Sequence, residues 1–199
     1  MKPADVAASY DGIAEVWDAP GFPRDNGIAA HERALAFLGR AGAALDVGCG
    51  ASGRFIELLL GRGFEVEGLD LSARMLELAR RRHPQVRFHL ADVCEWQPPR
   101  AYDFVTAWDS IWHVPLAEHA RVLEKLLGAL APGGVCIFTF GGTDEPGEKR
   151  DSAMGPPMYY STLGVPGTLH AIERSGCILR HLEYDQHPEL HVCTIVQRT

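Results

Sequence analysis

A glycine-rich turn with one acidic residue is the first feature of the chain that could do chemistry. Residues 45–53 read LDVGCGASG, where an apolar run enters the glycines and an amphipathic run leaves them. Glycine lets the backbone take positive φ and lets a ligand approach it closely. The ligand would lie at the carboxyl end of a strand, beside the N-terminus of the next helix. A lone G-x-G-x-x-G turn is a weak signal, so it needs support from other residues.

Two further carboxylates follow the next two apolar runs. Asp70 comes 17 residues after the last glycine of the turn and can accept hydrogen bonds from both hydroxyls of a ribose. Its alternative role is to help Ser72 begin the following helix. Asp92 can accept from an exocyclic adenine amine while Ala91 and Val93 lie against the ring, and its alternative role is a surface turn. Together with the turn, these residues predict a nucleoside site.

Asp46 distinguishes between nucleoside ligands. It stands before the first glycine, where it can meet a cationic amino group directly or through water. A pyrophosphate would be repelled by a carboxylate at that position. The sequence therefore favours an aminoacyl-bearing nucleoside over a nicotinamide dinucleotide.

Alternating strands and helices must position these residues. Strands are predicted at Ala43–Val47, Phe64–Leu69, Val86–Leu90, Tyr102–Ala107 and Val135–Phe140. Ser52 and Ser72 are predicted to cap two of the intervening helices, and Pro115 to be the first residue of a third. This alternation indicates a parallel sheet with helices on both faces, residues 43–140 forming the cofactor-binding core.

The two ends of the chain complete one predicted domain, residues 1–199. Residues 1–40 are expected to be helical, with Asp11 capping a short turn and a second helix at Ala29–Leu38. Residues 141–165 are rich in glycine, proline and charge, so no core strand is predicted there. Residues 166–199 predict a short helix and two strands joined by a tight turn, which must be antiparallel. The expected fold class is a doubly wound α/β sheet with one reversed strand.

Composition limits the possible functions. The chain has 199 residues, 46% of them hydrophobic, and a formal net charge of −7. That balance supports a folded core and argues against broad binding to nucleic acid or to anionic membranes. The five cysteines include no C-x-x-C pair, and no signal-peptide or membrane-spanning run is found. We therefore expect a cytoplasmic protein. A metal site at His187 and His191 lacks enough ligands, and no metal is predicted.

Taken together, five motifs resemble those of class I S-adenosylmethionine-dependent methyltransferases, which have a Rossmann-like fold. They are LDVGCGASG, VEGLDLS, HLADV, YDFVTAWDSIWHV and LAPGGVCIFTF. The resemblance implies a three-layer sandwich around a seven-stranded sheet, with the last strand antiparallel and inserted beside the fifth. It implies S-adenosylmethionine as cofactor, with a binding set of Asp46, Gly48, Gly50, Ser52, Asp70, Leu71, Met75, Ala91, Asp92, Val93, Trp108 and Asp109. The family often has glycine where this chain has Ser52.

The resemblance also implies where the methyl acceptor lies. The sulfonium is already a good methyl donor, so the protein must align an acceptor and exclude water, and a base is needed only if the acceptor holds a proton. His113 is the leading base candidate and Asp109 the second. Their alternative roles are to pack beside Trp112 and to contact the cofactor. An acceptor pocket is expected from five aromatic residues, with Tyr10 in an N-terminal lid: Tyr10, Trp17, Trp112, Tyr159 and Tyr160.

The function predicted on these grounds is methyl transfer to a small-molecule acceptor. An NAD(P)-dependent oxidoreductase is one alternative, and a non-catalytic S-adenosylmethionine-binding subunit is another. A methyltransferase acting on RNA or protein is less favoured because the chain carries no basic stripe and no added recognition domain.

Overall fold

A seven-stranded sheet forms the centre of the fold. The computed structural model describes all 199 residues. The strands of the sheet are β1 Ala43–Val47, β2 Glu65–Asp70, β3 Arg87–Leu90, β4 Tyr102–Ala107, β5 Leu130–Gly141, β8 Cys177–Glu183 and β9 His191–Arg198. In spatial order they are β3-β2-β1-β4-β5-β9-β8, and β9 alone runs in the direction opposite to the other six. The last strand is thus inserted beside β5.

Helices cover both faces of this sheet. They are α1 Pro3–Asp11, α2 Ala14–Asp18, α3 Ile28–Leu35, α4 Arg54–Gly61, α5 Ala73–Arg82, α6 Leu116–Gly128 and α7 Gly164–Arg174. One apolar core joins the sheet to α3, α4 and α5 through residues such as Leu59 and Leu76. The other joins it to α6 and α7 through Leu126 and Ile172. The expected three-layer, doubly wound α/β sandwich is confirmed.

The predicted helix starts are partly right. Ser72 caps α5, since its side chain accepts a hydrogen bond from the Met75 N–H at 3.0 Å. Ser52 does not cap α4, because Gly53 occupies the cap position with φ of +67°. Pro115 is the cap residue of α6 and not its first residue.

Asp11 has a different role from the one its sequence position suggested. It is the last residue of α1, and its carboxylate accepts from the Ser72 hydroxyl at 2.6 Å and from the Arg74 N–H at 3.0 Å. An acidic group at the start of α5 is favourable because the first N–H groups of a helix lack partners within the helix. Asp11 therefore ties the N-terminal helix to the start of α5.

A two-stranded hairpin lies within residues 141–165, where no core strand was expected. Strand β6, Gly147–Asp151, pairs antiparallel with β7, Met158–Thr162, as a sheet of its own. Strand β6 (GEKRD) is polar and mostly exposed, so it lacks the apolar alternation that predicts a strand. Strand β7 is mostly buried and packs on the turn Ile111–His113. The hairpin thus carries aromatic residues towards the end of β4.

None of the helices combines the length and the apolarity that crossing a membrane requires.

Candidate active site

A cavity of about 400 Å³ opens at the carboxyl ends of β1, β2, β3 and β4. Helices α1 and α2 form one of its walls through Val6, Tyr10 and Trp17. The strand order reverses direction between β1 and β4, and open α/β sheets bind ligands beside such a point. The volume is within the range of small-molecule sites.

The glycine turn gives the cavity a backbone floor. Gly48, Gly50 and Gly53 have φ of +68°, +57° and +67°. A Cβ atom added to Gly48 would lie 2.3 Å from the Ser110 Cβ, so a side chain there would collide with the segment after β4. The first glycine is therefore required both by its φ and by a close approach.

Asp46 is a buried carboxylate that lines the cavity beneath this turn. Its residue is only 3% exposed. Burial raises the pKa of Asp46 to about 7, opposed by Arg54 and reinforced by Asp70. No hydrogen bond from the protein compensates the carboxylate. A bound cation is the group that would do so.

Asp70 is held by two backbone N–H groups. Its Oδ2 accepts from Gly50 and its Oδ1 from Ser72, both at 2.8 Å. Burial raises the pKa of Asp70, although these backbone hydrogen bonds oppose the rise. Asp70 therefore does help Ser72 begin α5, which is the alternative role considered for it. Each carboxylate oxygen still has a second acceptor position, so the residue also keeps the capacity to bind a diol.

Asp92 and its neighbours line the same cavity beyond Asp70. The Asp92 Oδ1 accepts from the Cys94 N–H at 2.8 Å in a local turn. Its Oδ2 is not used by the protein. Ala91 and Val93 are half-buried beside it and also line the cavity. The structure thus brings together the predicted nucleoside-binding residues, including Ser52, Leu71 and Met75.

The segment after β4 forms the opposite end of the cavity. Asp109 is the only residue other than glycine with positive φ, at 52°. Its N–H donates to the Thr139 Oγ1 at 2.8 Å, which holds the backbone in this conformation. Nearby, the Trp108 Nε1 and the Ser110 Oγ are buried without a hydrogen-bond partner. Strain and unpartnered polar atoms in one segment are typical of a functional site.

Both ring nitrogens of His113 are engaged by the protein. Its Nδ1 donates to the Tyr159 carbonyl at 2.7 Å, and its Nε2 accepts from the Tyr10 hydroxyl at 2.8 Å and from the Trp112 Nε1 at 3.2 Å. Burial lowers the pKa of His113 to about 4. The ring lines the cavity, but it offers no free nitrogen to a ligand. This geometry favours a structural role over the general base predicted from the sequence.

Four of the five aromatic residues expected around the acceptor line the cavity: Tyr10, Trp17, Trp112 and Tyr160. Tyr159 does not. Its hydroxyl donates to Glu148 at 2.8 Å and accepts from the Leu116 N–H at 3.0 Å, so its side chain points to the other side of β7. Adjacent residues of a strand face opposite ways, and only one of the two tyrosines can reach the cavity.

Arg54 is a cavity residue that sequence reasoning missed. It is the first residue of α4 and makes no hydrogen bond or ion pair, and its Nε is buried without a partner. Its guanidinium lies 4.5 Å from the centre of the Phe55 ring and 5.3 Å from that of Phe22. Burial lowers the pKa of Arg54, opposed by Asp109 and Asp46. Its position directly after the glycine turn was the signal that could have identified it.

A family model described as a methyltransferase domain matches residues 44–134, which include the glycine turn, Asp70, Asp92 and the segment after β4. Residues 44–134 form a methyltransferase domain. The predicted resemblance is thereby confirmed.

Two curated relatives of this methyltransferase domain carry the same name. The trans-aconitate 2-methyltransferase of Rhizobium meliloti is 41% identical over 146 residues, which cover 67% of this chain and 56% of that protein. The enzyme of the same name from Methylobacterium radiotolerans is 46% identical over 94 residues, which cover 46% of this chain and 35% of that protein. The chain thus spans between about a third and just over half of these relatives.

Solved methyltransferase structures share the fold over nearly the whole chain. The Burkholderia thailandensis 1,6-didemethyltoxoflavin-N1-methyltransferase, solved with S-adenosylhomocysteine, superposes with a TM-score of 0.75 at 20% identity, covering 99% of this chain and 87% of that one. An amino pentose methyltransferase from Micromonospora echinaspora gives a TM-score of 0.71 at 22% identity, covering 96% of this chain and 95% of that one. Likeness at this identity concerns the fold alone.

The cavity of the methyltransferase domain fits the family's cofactor. The cofactor is an adenosine joined to a zwitterionic amino acid through a positively charged sulfur. Asp46 is a buried carboxylate with no partner for its charge, and Asp70 and Asp92 each keep acceptor capacity at the ends of β2 and β3. Aromatic rings, which attract cations, line the same cavity.

Proposed function

We propose that the protein transfers a methyl group from S-adenosylmethionine to a small-molecule acceptor. The observation that carries this proposal is the meeting of Asp46, Asp70 and Asp92 around one cavity beside a glycine turn. Asp46 binds the amino group, Asp70 the ribose hydroxyls and Asp92 the adenine amine. Ala91 and Val93 lie against the adenine ring.

The protein contributes position and enclosure. When bound, the cofactor supplies a methyl group on a positively charged sulfur, which needs no further activation. Alignment of an acceptor behind such a group can lower the barrier by about 7–11 kcal/mol. Helix α1, which is tied to α5 by Asp11 and to His113 by Tyr10, covers the cavity together with α2, and the two helices keep water from the reacting atoms.

Several observations support a small acceptor. The cavity is enclosed on the side of α1 and α2 by Tyr10 and Trp17, and its volume suits a ligand pair and not a polymer. The net charge of −7 disfavours nucleic acid. The relatives and structural neighbours are named for trans-aconitate, for a toxoflavin precursor and for an amino pentose, all of them small molecules. The acceptors to assay are therefore small molecules, with trans-aconitate as one member of the panel.

Calorimetry with S-adenosylhomocysteine and with NADH tests the cofactor assignment. We expect saturable binding of S-adenosylhomocysteine alone. Saturable binding of NADH would instead support the oxidoreductase alternative. Binding of S-adenosylhomocysteine without methyl transfer to a broad panel of acceptors would support the non-catalytic alternative.

Three variants locate the cofactor within the cavity. Asp70→Ala is expected to abolish measurable binding, but it also removes the acceptor for the Gly50 and Ser72 N–H groups. Asp92→Ala leaves those bonds intact and is expected to weaken binding about tenfold through one lost hydrogen bond. Asp144→Ala, an exposed carboxylate outside the cavity, is the matched control and should bind as the unaltered protein does. Equal binding by all three variants would contradict the assignment.

A further inference from the structure

A carboxylate–histidine–carboxylate chain runs from the cavity to the protein surface. The His191 Nε2 lies 2.9 Å from the Asp109 Oδ1, and its Nδ1 lies 2.5 Å from the Asp185 Oδ1. Asp109 lines the cavity, His191 is buried behind it at 7% exposure, and Asp185 lies in the turn between β8 and β9 at the surface. The function proposed above gives no role to His191 or Asp185.

The hydrogen bonds to Asp109 and Asp185 define the charge of the His191 ring. Ionised carboxylates only accept, so both ring nitrogens of His191 must donate, and the ring is then an imidazolium. Burial lowers the pKa of His191, but the hydrogen bonds and charges of Asp109 and Asp185 outweigh burial and raise it overall. The Trp108 and Trp112 rings pack at 5.9 and 5.5 Å from the imidazole and screen it from water.

The same contacts engage one carboxylate oxygen of Asp109 and leave the other available to the cavity. Its Oδ1 accepts from both His191 and the Thr139 hydroxyl, the latter at 3.3 Å, while its N–H is bound to Thr139. Its Oδ2 has no partner in the protein, and its side chain is 32% exposed to the cavity. The charged or titratable groups facing it are Arg54 from α4, Tyr10 from α1, His113 from the turn after β4, and His191 and Cys193 from β9.

We propose that Asp109 binds the attacking atom of the acceptor through a hydrogen on that atom, and that His191 and Asp185 are positioning residues that orient Asp109. This inference rests on the proposed methyl transfer and narrows its acceptor to amines and hydroxyl compounds. A carboxylate acceptor has no hydrogen to donate at neutral pH and would be repelled by Asp109. The acceptor class therefore differs from the one in the relatives' name.

The step balances without any further reactant. The lone pair of the attacking nitrogen or oxygen bonds to the methyl carbon while the carbon–sulfur bond breaks and its electron pair stays on sulfur. The attacking atom becomes positively charged, and its hydrogen bond to the Asp109 Oδ2 strengthens. The proton then leaves to that oxygen and from there to water.

Nitrogen NMR of the histidine side chains tests the hydrogen bonds of His191 to Asp109 and Asp185 in the wild-type protein, with or without a bound ligand. We expect both ring nitrogens of His191 to be protonated at pH 7.5, and one to lose its proton in Asp109→Ala. A neutral His191 ring in the wild type would overturn the proposal. This measurement does not depend on methyl transfer, so it separates failure of this inference from failure of the proposed function.

Binding of three matched probes then tests the acceptor class. Aniline, phenol and benzoate share one ring and differ in the group that would attack, and each is titrated into the protein saturated with S-adenosylhomocysteine. We expect aniline or phenol to bind more tightly than benzoate, and Asp109→Asn to weaken that binding about 10- to 100-fold, the range for a hydrogen bond to a charged group. Tighter binding of benzoate, or methylation of trans-aconitate at a rate that Asp109→Asn leaves unchanged, would overturn the proposal.

His191→Gln keeps a donor to Asp109 but removes the positive charge. With an aniline or phenol acceptor, we expect the pH profile of kcat to change while the Kd for S-adenosylhomocysteine stays within twofold. The matched control is His181→Gln, because His181 also bonds a carboxylate, Glu183, but lies on β8 away from the cavity. A pH profile of His191→Gln that coincides with that of His181→Gln would overturn the positioning role.

Discussion

Removing one hydroxyl group tests whether the N-terminal helix closes the cavity. The Tyr10 hydroxyl donates to the His113 Nε2 at 2.8 Å, the direct hydrogen bond between α1 and the segment after β4. Burial raises the pKa of Tyr10, so the hydroxyl keeps its proton and remains a donor. Tyr10→Phe removes this bond and retains the ring, which packs at 5.5 Å from the ring of Trp17.

The magnitude follows from what remains after the change. A hydrogen bond contributes about 0.5–1.5 kcal/mol net, and a buried acceptor left without a partner costs more. The His113 Nε2 still accepts from the Trp112 Nε1, so the second cost is avoided. If α1 must lie on the cavity for the cofactor to bind, the Kd for S-adenosylhomocysteine should rise about 2- to 12-fold. Asp11 and Ser72 still hold α1, which prevents a larger loss.

Two measurements check this expectation. Calorimetry gives the Kd, and hydrogen exchange with mass spectrometry gives the protection of residues 3–18. The matched control is Tyr184→Phe, which loses a hydroxyl bond to the Gly142 carbonyl outside the cavity. The reasoning is refuted if Tyr10→Phe binds S-adenosylhomocysteine as tightly as Tyr184→Phe, or if exchange in residues 3–18 is the same in both variants.

Three further outcomes are expected. Gly48→Ala should lower the free energy of unfolding more than Gly63→Ala, because both positions have positive φ but only the first places a Cβ atom 2.3 Å from another Cβ; equal losses in urea would contradict this. Burial lowers the folded pKa of His31 to about 3 and that of His113 and His119 to about 4, so the unfolded chain binds protons at these residues more readily. The free energy of unfolding should therefore fall between pH 6.5 and 4, by up to about 1.4 kcal/mol per pH unit for each of the three histidines. Asp46 and Asp70 oppose this trend, since burial raises the folded pKa of each, while His83, whose pKa burial lowers, adds to it. A net rise in stability on acidification would therefore refute the expectation that the histidines dominate. Finally, all five cysteines are buried, so a thiol reagent should react with them only after unfolding, and rapid reaction of the folded protein would show that the cores open.

The sheet was predictable wherever a strand is buried on both faces. The bounds of β1 and β4 agree with the sequence prediction at both ends, because buried parallel strands are continuous apolar runs between recognisable turns. Strand β6 was missed because its side chains are charged and it is held by hydrogen bonds to β7 alone. Its pairing depends on the backbone of another segment, which a local pattern does not show.

Site residues were predictable from the sequence where their position depends only on the strand that carries them. Asp46, Asp70 and Asp92 each stand at or near the end of a strand, and the carboxyl ends of neighbouring parallel strands meet at one edge of the sheet. The sequence prediction wrongly assigned Tyr159 to the cavity and omitted Arg54. The direction of the Tyr159 side chain depends on where β7 begins, and that of Arg54 on where α4 begins, in each case to within one residue. Helix and strand ends are the least certain part of a sequence prediction.

His113 and His191, which lie near the segment after β4, show why the chemistry of a residue cannot be inferred from its neighbours in sequence. His113 lies close to β4 and was therefore selected as a base, but its nitrogens are used by Tyr159, 46 residues later, and by Tyr10, 103 residues earlier. His191 was assigned to a strand, yet it lies 2.9 Å from Asp109, which is 82 residues away. That contact exists because β9 is inserted antiparallel beside β5, with His191 opposite Gly141 at the end of β5 nearest the cavity. The reversed strand, which the sequence did predict, is thus the element that brings His191 against Asp109.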